Sequence, residues 1–296
     1  MARRRHAALL LALAQQVATC GGGRTGDQAL SSPLPAENRV GAPVPVGPRL
    51  PRLQLTHGLV KLRPGAAVPP LHGGGLLIAQ NEYESLQVVV HAAADAAVSL
   101  TGLRIDHGSL PQLQVAVYRQ HLQNITQVSN CEGGAGLWPD ALIPDVDVYA
   151  KETRNAFPVT LPAGKGAVVL WVDLFVPPGT APGNYSLSVT ATVAEVQDVA
   201  SPSLPLALEV LPFSLPSTPT LKTSFGALSS AAKGHNLPTT ESSKLVPRYV
   251  EAMLMHRLTG DFLKTEQDQI VADFEGWSQA WGSFLSGHST PFGLKG

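Results

Sequence analysis

The chain has few groups with which to cross-link or charge itself. Two of its 296 residues are cysteine. Cys20 falls at the edge of a segment that reads as a removable leader, which leaves Cys131 alone and excludes a disulfide framework. Cys131 stands in Asn130-Cys131-Glu132-Gly133-Gly134 with no histidine nearby, and reads as an unpaired loop thiol rather than a nucleophile. Charged residues make up only 15% and the formal net charge is −1. No Lys/Arg block follows the first few positions, so a nucleic-acid or anionic-membrane surface is excluded. The N-terminal apolar run falls far short of the roughly 20 residues that span a bilayer, so no stable membrane span is expected. There is no phosphate loop, dinucleotide fingerprint or nucleophile elbow, and the nine histidines show no zinc spacing. No cofactor and no metal are therefore implied.

Hydrophobic residues reach 44%, enough for a core, while 28 glycines and 25 prolines break the chain at short intervals. That balance favours a loop-rich β protein over a coiled coil or helical bundle. Arg3, Arg4 and Arg5 precede the apolar run Ala7 to Ala14, followed by small residues around Val17-Ala18-Thr19-Cys20. This is the order of a secretory signal peptide, placed at residues 1–20. An organelle transit peptide is the alternative, because no acidic residue precedes Asp27. The chain is thus assigned to the secretory pathway or the extracellular space. Residues 21–57, rich in Gly, Pro, Ser and Ala, read as a flexible leader.

Strand signals begin beyond Leu59 and recur at short spacing. Leu76-Leu77-Ile78 leads to Leu86-Gln87-Val88-Val89-Val90, then Val98-Ser99-Leu100, then Leu113, Val115 and Val117. Val168 to Val176 is apolar on both faces apart from Asp173, as expected of a central strand covered on both sides. Tyr185, Leu187, Val189, Ala191 and Val193 alternate with polar residues, so one face is core and the other wet. Leu204, Leu206, Leu208 and Val210 repeat that pattern, and Pro205 predicts an edge or a bulge. Residues 58–212 therefore read as an antiparallel β-sandwich.

Residues 213–220 lie in the Pro-rich stretch Leu211 to Pro219 and read as a stiff linker. Beyond it the pattern changes. Leu221 to Gly226 is a strand candidate. Val246, Tyr249, Val250, Met253, Leu254 and Leu258 recur at helical spacing, with Thr239 or Thr240 as caps and Pro247 in the first turn. Asp273 to Leu285 predicts a second helix, and Thr290 to Gly293 another strand. This is the alternation of a β/α barrel. Such a barrel needs roughly 200 residues or more, so residues 221–296 are expected to hold only its N-terminal part. The fold class is mainly β: an antiparallel β-sandwich followed by an incomplete (β/α) barrel segment.

Several segments occur in an order that resembles glycoside hydrolase family 123 and its relatives. They are Asn81-Glu82-Tyr83-Glu84-Ser85-Leu86-Gln87, Tyr118-Arg119, Gly136-Leu137-Trp138-Pro139-Asp140-Ala141-Leu142-Ile143-Pro144 and Trp171-Val172-Asp173-Leu174-Phe175-Val176-Pro177. Ala181-Pro182-Gly183-Asn184-Tyr185, Pro212-Phe213-Ser214-Leu215-Pro216, Phe225-Gly226 and His256-Arg257 complete the set. The likeness covers roughly residues 58–296. It implies a β-sandwich ahead of a (β/α)8 barrel and hydrolysis of N-acetylhexosamine glycosides assisted by the sugar's own acetamide. That scheme needs an aspartate directly followed by a glutamate, one orienting the acetamide and one protonating the leaving oxygen. No two acidic residues are adjacent anywhere in the 296 positions. No catalytic residue is carried over, and the chain alone is expected to be inactive.

Substrate-binding candidates remain. Trp138 and Asp140 offer an aromatic face and a carboxylate in a predicted loop, a pairing that can hold a sugar of an N-acetylhexosamine glycan. The competing reading is a loop that caps the sandwich. His256 and Arg257 could face a barrel mouth, or simply satisfy the carbonyls of a helix end. Glu82 and Glu84 share one strand face, Gln87 lies on the other, and a structural hydrogen-bonding role is expected of the two acids. Asp145 and Asp147 lack further ligands for calcium. Asn124 and Asn184 head glycosylation triplets. The alternative to a hydrolase-type protein is a secreted, non-catalytic β-sandwich module that binds glycan or protein.

Overall fold

The computed structural model describes residues 51–94, 96–128, 133–194, 201–223, 234–238 and 242–259, with isolated positions at 279, 282 and 286. The chain divides into two units. One joins residues 1–46 to 124–136, and the other holds 47–123 and 137–296. In the first, the described residues are the end of one strand and the approach to the next. The architecture below belongs to the second.

The strands in chain order are β1 Arg52–His57, β2 Gly75–Gln80, β3 Glu82–His91, β4 Val98–Asp106, β5 Gln114–Ile125, β6 Gly136–Pro144, β7 Val146–Asp147, β8 Glu152–Thr153, β9 Val159–Leu161, β10 Ala167–Val176, β11 Gly183–Val193 and β12 Ser203–Ser214, followed by helix α1, Ser242–Met255. One five-stranded sheet runs β1-β3-β10-β5-β6 and the other β2-β12-β11-β4-β9, with β7 and β8 forming a small hairpin. β3 pairs antiparallel with β1 and β10, and β11 with β4 and β12. β2 and β12 form a parallel pair. Their backbones come close: a Cβ on Gly75 would lie 2.7 Å from the carbonyl of Ala207. The chain is mainly β, and the sandwich expected from sequence is what it forms.

Leu86, Val88 and Val90 of β3 and Leu170, Val172, Leu174 and Val176 of β10 face inward. They meet Leu187, Val189 and Ala191 of β11 and Leu206, Leu208 and Val210 of β12 in one buried cluster. Full burial of each such aliphatic side chain contributes about 1.5–3 kcal/mol. β10 lies between β3 and β5. Its outward residues include the buried Asp173 and Phe175, so its double-sided hydrophobicity reflects cover on both faces.

Four expectations need correction. The last six residues of the predicted leader form β1, because Arg52 to His57 alternates and Leu53 and Thr56 are buried against the sheet. The segment Gly136 to Pro144 is not a loop but β6, at the sheet edge, where Pro139 and Pro144 cost no interior ladder bond. β12 is not an edge strand. Pro205 is tolerated because it pairs with Ser188 on one side, whereas β2 joins the other side only from Ala207 onward. β12 also runs to Ser214 and so takes up the first two residues of the predicted linker.

Beyond the sandwich, α1 starts at Ser242, which places Pro247 inside the helix rather than in its first turn. Residues 221–223 are described and are not strand. The rest of that strand candidate, both threonine caps, the second helix as an element and the strand at 290–293 lie outside the described residues, as does Cys131.

Candidate functional site at the sheet–helix junction

The outer face of the first sheet carries a polar and aromatic layer in place of a wet surface. Outward positions on a strand recur every second residue. On β3 they are Tyr83, Ser85 and Gln87, on β10 Trp171, Asp173 and Phe175, and on β5 Ala116, Tyr118 and Gln120. Gln87 is completely buried. Its amide nitrogen donates to the carbonyls of His57 (2.8 Å) and Val60 (2.7 Å), and its oxygen accepts from Gln120 Nε2 at 2.9 Å. The loop after β1 is thereby tied to the sheet. Asp173 Oδ1 accepts from Trp171 Nε1 and from Ser85 Oγ, both at 2.6 Å.

At one end of this layer a cavity of about 140 Å³ lies between the sheet, residues 148–151 and the end of α1. Tyr83, Tyr118, Tyr149, Asp173, Glu251 and His256 are among its walls. Burial, reinforced by nearby carboxylates, pushes the Tyr149 phenol up to about 12, and the phenols of Tyr83 and Tyr118 also rise. All three stay protonated at neutral pH and cannot serve as bases. Burial also raises Glu251, against the opposing charges of Lys151 and Arg248. Phe175, Tyr83 and His256 form a run of rings, with centroids 4.5 Å apart for the first pair and 4.9 Å for the second.

His256 and Arg257 follow α1 directly. The amide of Arg257 donates to Leu254 O (3.0 Å) and that of Leu258 to Met253 O (2.8 Å), while Arg257 itself is left-handed at φ 60°. This is a Schellman end with arginine where glycine is usual. The guanidinium then reaches across to the carbonyls of Pro216 and Asn81. Asn81 is the single residue between β2 and β3, which belong to different sheets. It is buried and left-handed (φ 59°), a conformation asparagine tolerates. Its Nδ2 donates to Leu215 O at 2.9 Å. One corner of the sandwich, the connector after β12 and the end of α1 are thus held by two side chains.

The other sequence candidates lie elsewhere. Trp138 and Asp140 are on β6 and do not line this cavity. Asp140 is exposed, and one face of the Trp138 ring is covered by Arg63, whose Cζ sits 4.3 Å from the ring centroid. Glu82 accepts from the amide of Ala79 at 2.6 Å, the structural role expected of it. Asp147 takes the amides of Tyr149 and Ala150 and the side chain of Arg154, all at about 3 Å. Burial alone would push its carboxyl up, but these donors hold it below the ordinary aspartate value. Among the described residues no cluster of His, Cys, Asp or Glu could hold a metal ion. No described helix is long and apolar enough to cross a membrane. Asn124 and Asn184 are both exposed.

Sequence reading did not single out Tyr149 or Glu251, whose neighbours come from distant elements. Asp173 carried a signal, as the one charge in an otherwise apolar strand.

No family model matches the chain, and no curated protein matches it. Among solved structures, a family 123 glycoside hydrolase from Clostridium perfringens, studied for glycolipid glycan hydrolysis, aligns with a TM-score of 0.42 and 15% identity, over 69% of this chain and 35% of that one. The chain therefore spans about a third of that hydrolase. A PapD-like domain of human CEP192 aligns at TM-score 0.25 and 10% identity, over 62% of this chain and 100% of that one. The CooA pilin subunit of enterotoxigenic Escherichia coli aligns at 0.24 and 13%, over 55% and 99%. Scores this low carry no argument about activity.

Proposed function

We propose that this chain is a supporting β-sandwich joined to the start of an α/β domain, in a secreted carbohydrate-active protein of the family 123 type, and that it does not itself hydrolyse glycosides. The reading is supported by the ordered motifs and by what their residues do. Asn81, Gln87 and Arg119 make hydrogen bonds that hold one segment of the fold to another. Trp171 bonds within β10 to Asp173, and the Tyr185 hydroxyl donates to Ala181 O at 2.7 Å in the turn before its own strand. The observation that carries it is the clasp of Arg257 on Asn81 and Pro216, because it spends a motif residue on joining α1 to the sandwich. A support needs such a joint; a free-standing binding module does not. Trp138, with Arg63 over one face, offers a sugar less stacking surface than sequence suggested.

The absence of any adjacent acidic pair in the chain supports the non-catalytic half of the proposal. The test is incubation of the folded full chain with 4-nitrophenyl N-acetyl-β-galactosaminide. No nitrophenol release above buffer is expected, and steady turnover would overturn the reading. Passage through the secretory pathway is part of the same proposal. Expression in secreting cells should give a chain whose mass falls on treatment with an N-glycanase, and whose shift is reduced by Asn184→Gln.

A further inference from the structure

The cavity between the first sheet and α1 is bordered by one charge that nothing in the described fold answers. Asp173 lines it and is only 6% exposed. Its two hydrogen bonds come from neutral donors, Trp171 Nε1 and Ser85 Oγ, and both go to Oδ1. Among the described residues Asp173 makes no ion pair and Oδ2 accepts no hydrogen bond. Nor is Oδ2 sealed off, as the unpartnered Oγ1 of Thr56 is, so it opens onto the cavity. The other charges nearby are answered. Glu251 faces Lys151 and Arg248, the Lys151 ammonium is bound to the carbonyl of Val148, and Asp147 is paired with Arg154.

Aromatic rings supply much of the remaining wall. The strand register puts Tyr83 and Tyr118 on the same outward face as Asp173, and Tyr149 comes from the loop between β7 and β8. Tyr83 is taken up by ring contacts with Phe175 and His256. Among the described residues Tyr118 and Tyr149 make no ring contact, and their hydroxyls make no hydrogen bond. Burial foremost, with Asp173 among the nearby charges, raises all three phenols, and no cation offsets that negative field.

We propose that this cavity takes one small alkylammonium group, its charge against Asp173 and its alkyl carbons against the rings of Tyr118 and Tyr149. A neutral occupant would leave the buried carboxylate unanswered, and an anion would be repelled by it. A metal ion would lack ligands, because among the described residues no cluster of His, Cys, Asp or Glu could hold one. At about 140 Å³ the cavity is well short of the roughly 300 Å³ at which sites for drug-sized ligands begin, so it suits a compact head group. The inference goes beyond the supporting role proposed above and does not rest on it, since binding is read separately from nitrophenol release.

The test is calorimetric titration of the full chain at neutral pH with choline and with dimethylbutanol, in which carbon replaces the quaternary nitrogen. Choline is expected to bind at least about tenfold more tightly. Asp173→Asn loses the charge but keeps an acceptor for Trp171 and Ser85, and should erase most of that preference while the circular dichroism stays unchanged. Should that variant not fold, Tyr149 carries the test. Tyr149→Leu should weaken choline by about threefold or more, and Tyr149→Phe, which keeps the ring, by less than about twofold. Sedimentation with phosphatidylcholine vesicles separates a free ion, which leaves the chain in the supernatant, from a lipid head group, which brings it down. The proposal is overturned if the folded chain does not bind choline, if choline and dimethylbutanol bind alike, if folded Asp173→Asn keeps the full preference, or if Tyr149→Leu binds choline as before.

Discussion

The imidazole of His256 lies 4.9 Å from the ring of Tyr83, tilted by 41°. The first residue directly follows α1 and the second belongs to β3, and Phe175 lies on from Tyr83 at 4.5 Å. Tyr83→Ala removes the middle ring and should cost about 2–4 kcal/mol in urea unfolding. Tyr83→Phe keeps both ring contacts and should stay within about 1 kcal/mol of the unaltered chain. Equal losses for the two variants would show that stacking is not what Tyr83 contributes.

Arg257 combines a strained backbone with a bonded side chain, and two substitutions separate them. Arg257→Ala keeps φ positive and loses the guanidinium bonds to Asn81 and Pro216. Arg257→Gly loses the same bonds but relieves a left-handed penalty of about 1 kcal/mol. Both should be less stable than the parent, with the glycine variant the better of the two. Proteolysis should reach residues 216–223 sooner in both. A glycine variant more stable than the parent would mean that the clasp contributes less than the strain costs.

Gln87 is buried with its amide fully engaged. Gln87→Leu would leave the carbonyl of Val60 and the amide of Gln120 without their partner, while the carbonyl of His57 keeps the amide of Val60. Each orphaned group costs about 1–3 kcal/mol, so a loss of about 2 kcal/mol or more is expected in thermal or chemical unfolding. A loss below about 1 kcal/mol would mean that water reaches these groups.

His91 gives a pH signature. Burial first, and the charge of Arg52 second, hold its folded value below that of a free histidine. The unfolded chain therefore takes up the proton first as pH falls through about 6.5. His91 contributes stability that is present above that value and lost on acidification. The melting temperature should fall between about pH 7.5 and 5.5, and less steeply in His91→Gln. Parallel slopes for the two proteins would assign the fall to other groups.

Local pattern in the sequence reached the strands but not their cover. The two-sided hydrophobicity of Val168 to Val176 identified β10 as central, and the clean alternation from Tyr185 to Val193 identified β11. Both signals lie within one strand. The Pro205 reading failed because an interior strand can have a one-sided stretch, which depends on where its neighbour β2 begins. Trp138 looked available because Arg63, which covers it, comes from a loop far upstream. The cavity among Tyr83, Tyr118, Tyr149 and Glu251 draws on four separate segments, and no periodicity within any one of them encodes their meeting. The reading of His256-Arg257 as a helix end was legible, because a basic pair after an apolar helical stripe has a local physical reason. Where the guanidinium goes next was not.

The parallel pairing of β2 with β12 also bears on synthesis. The strand Gly75–Gln80 must wait for Ser203–Ser214 before that ladder can close, and the Asn81 corner waits further still, for Leu215 and then Arg257. Such high contact order predicts slow maturation. It also implies that a ribosome must deliver nearly the whole length described here before the earliest strands are locked, which makes the nascent β2 edge a natural client for a chaperone.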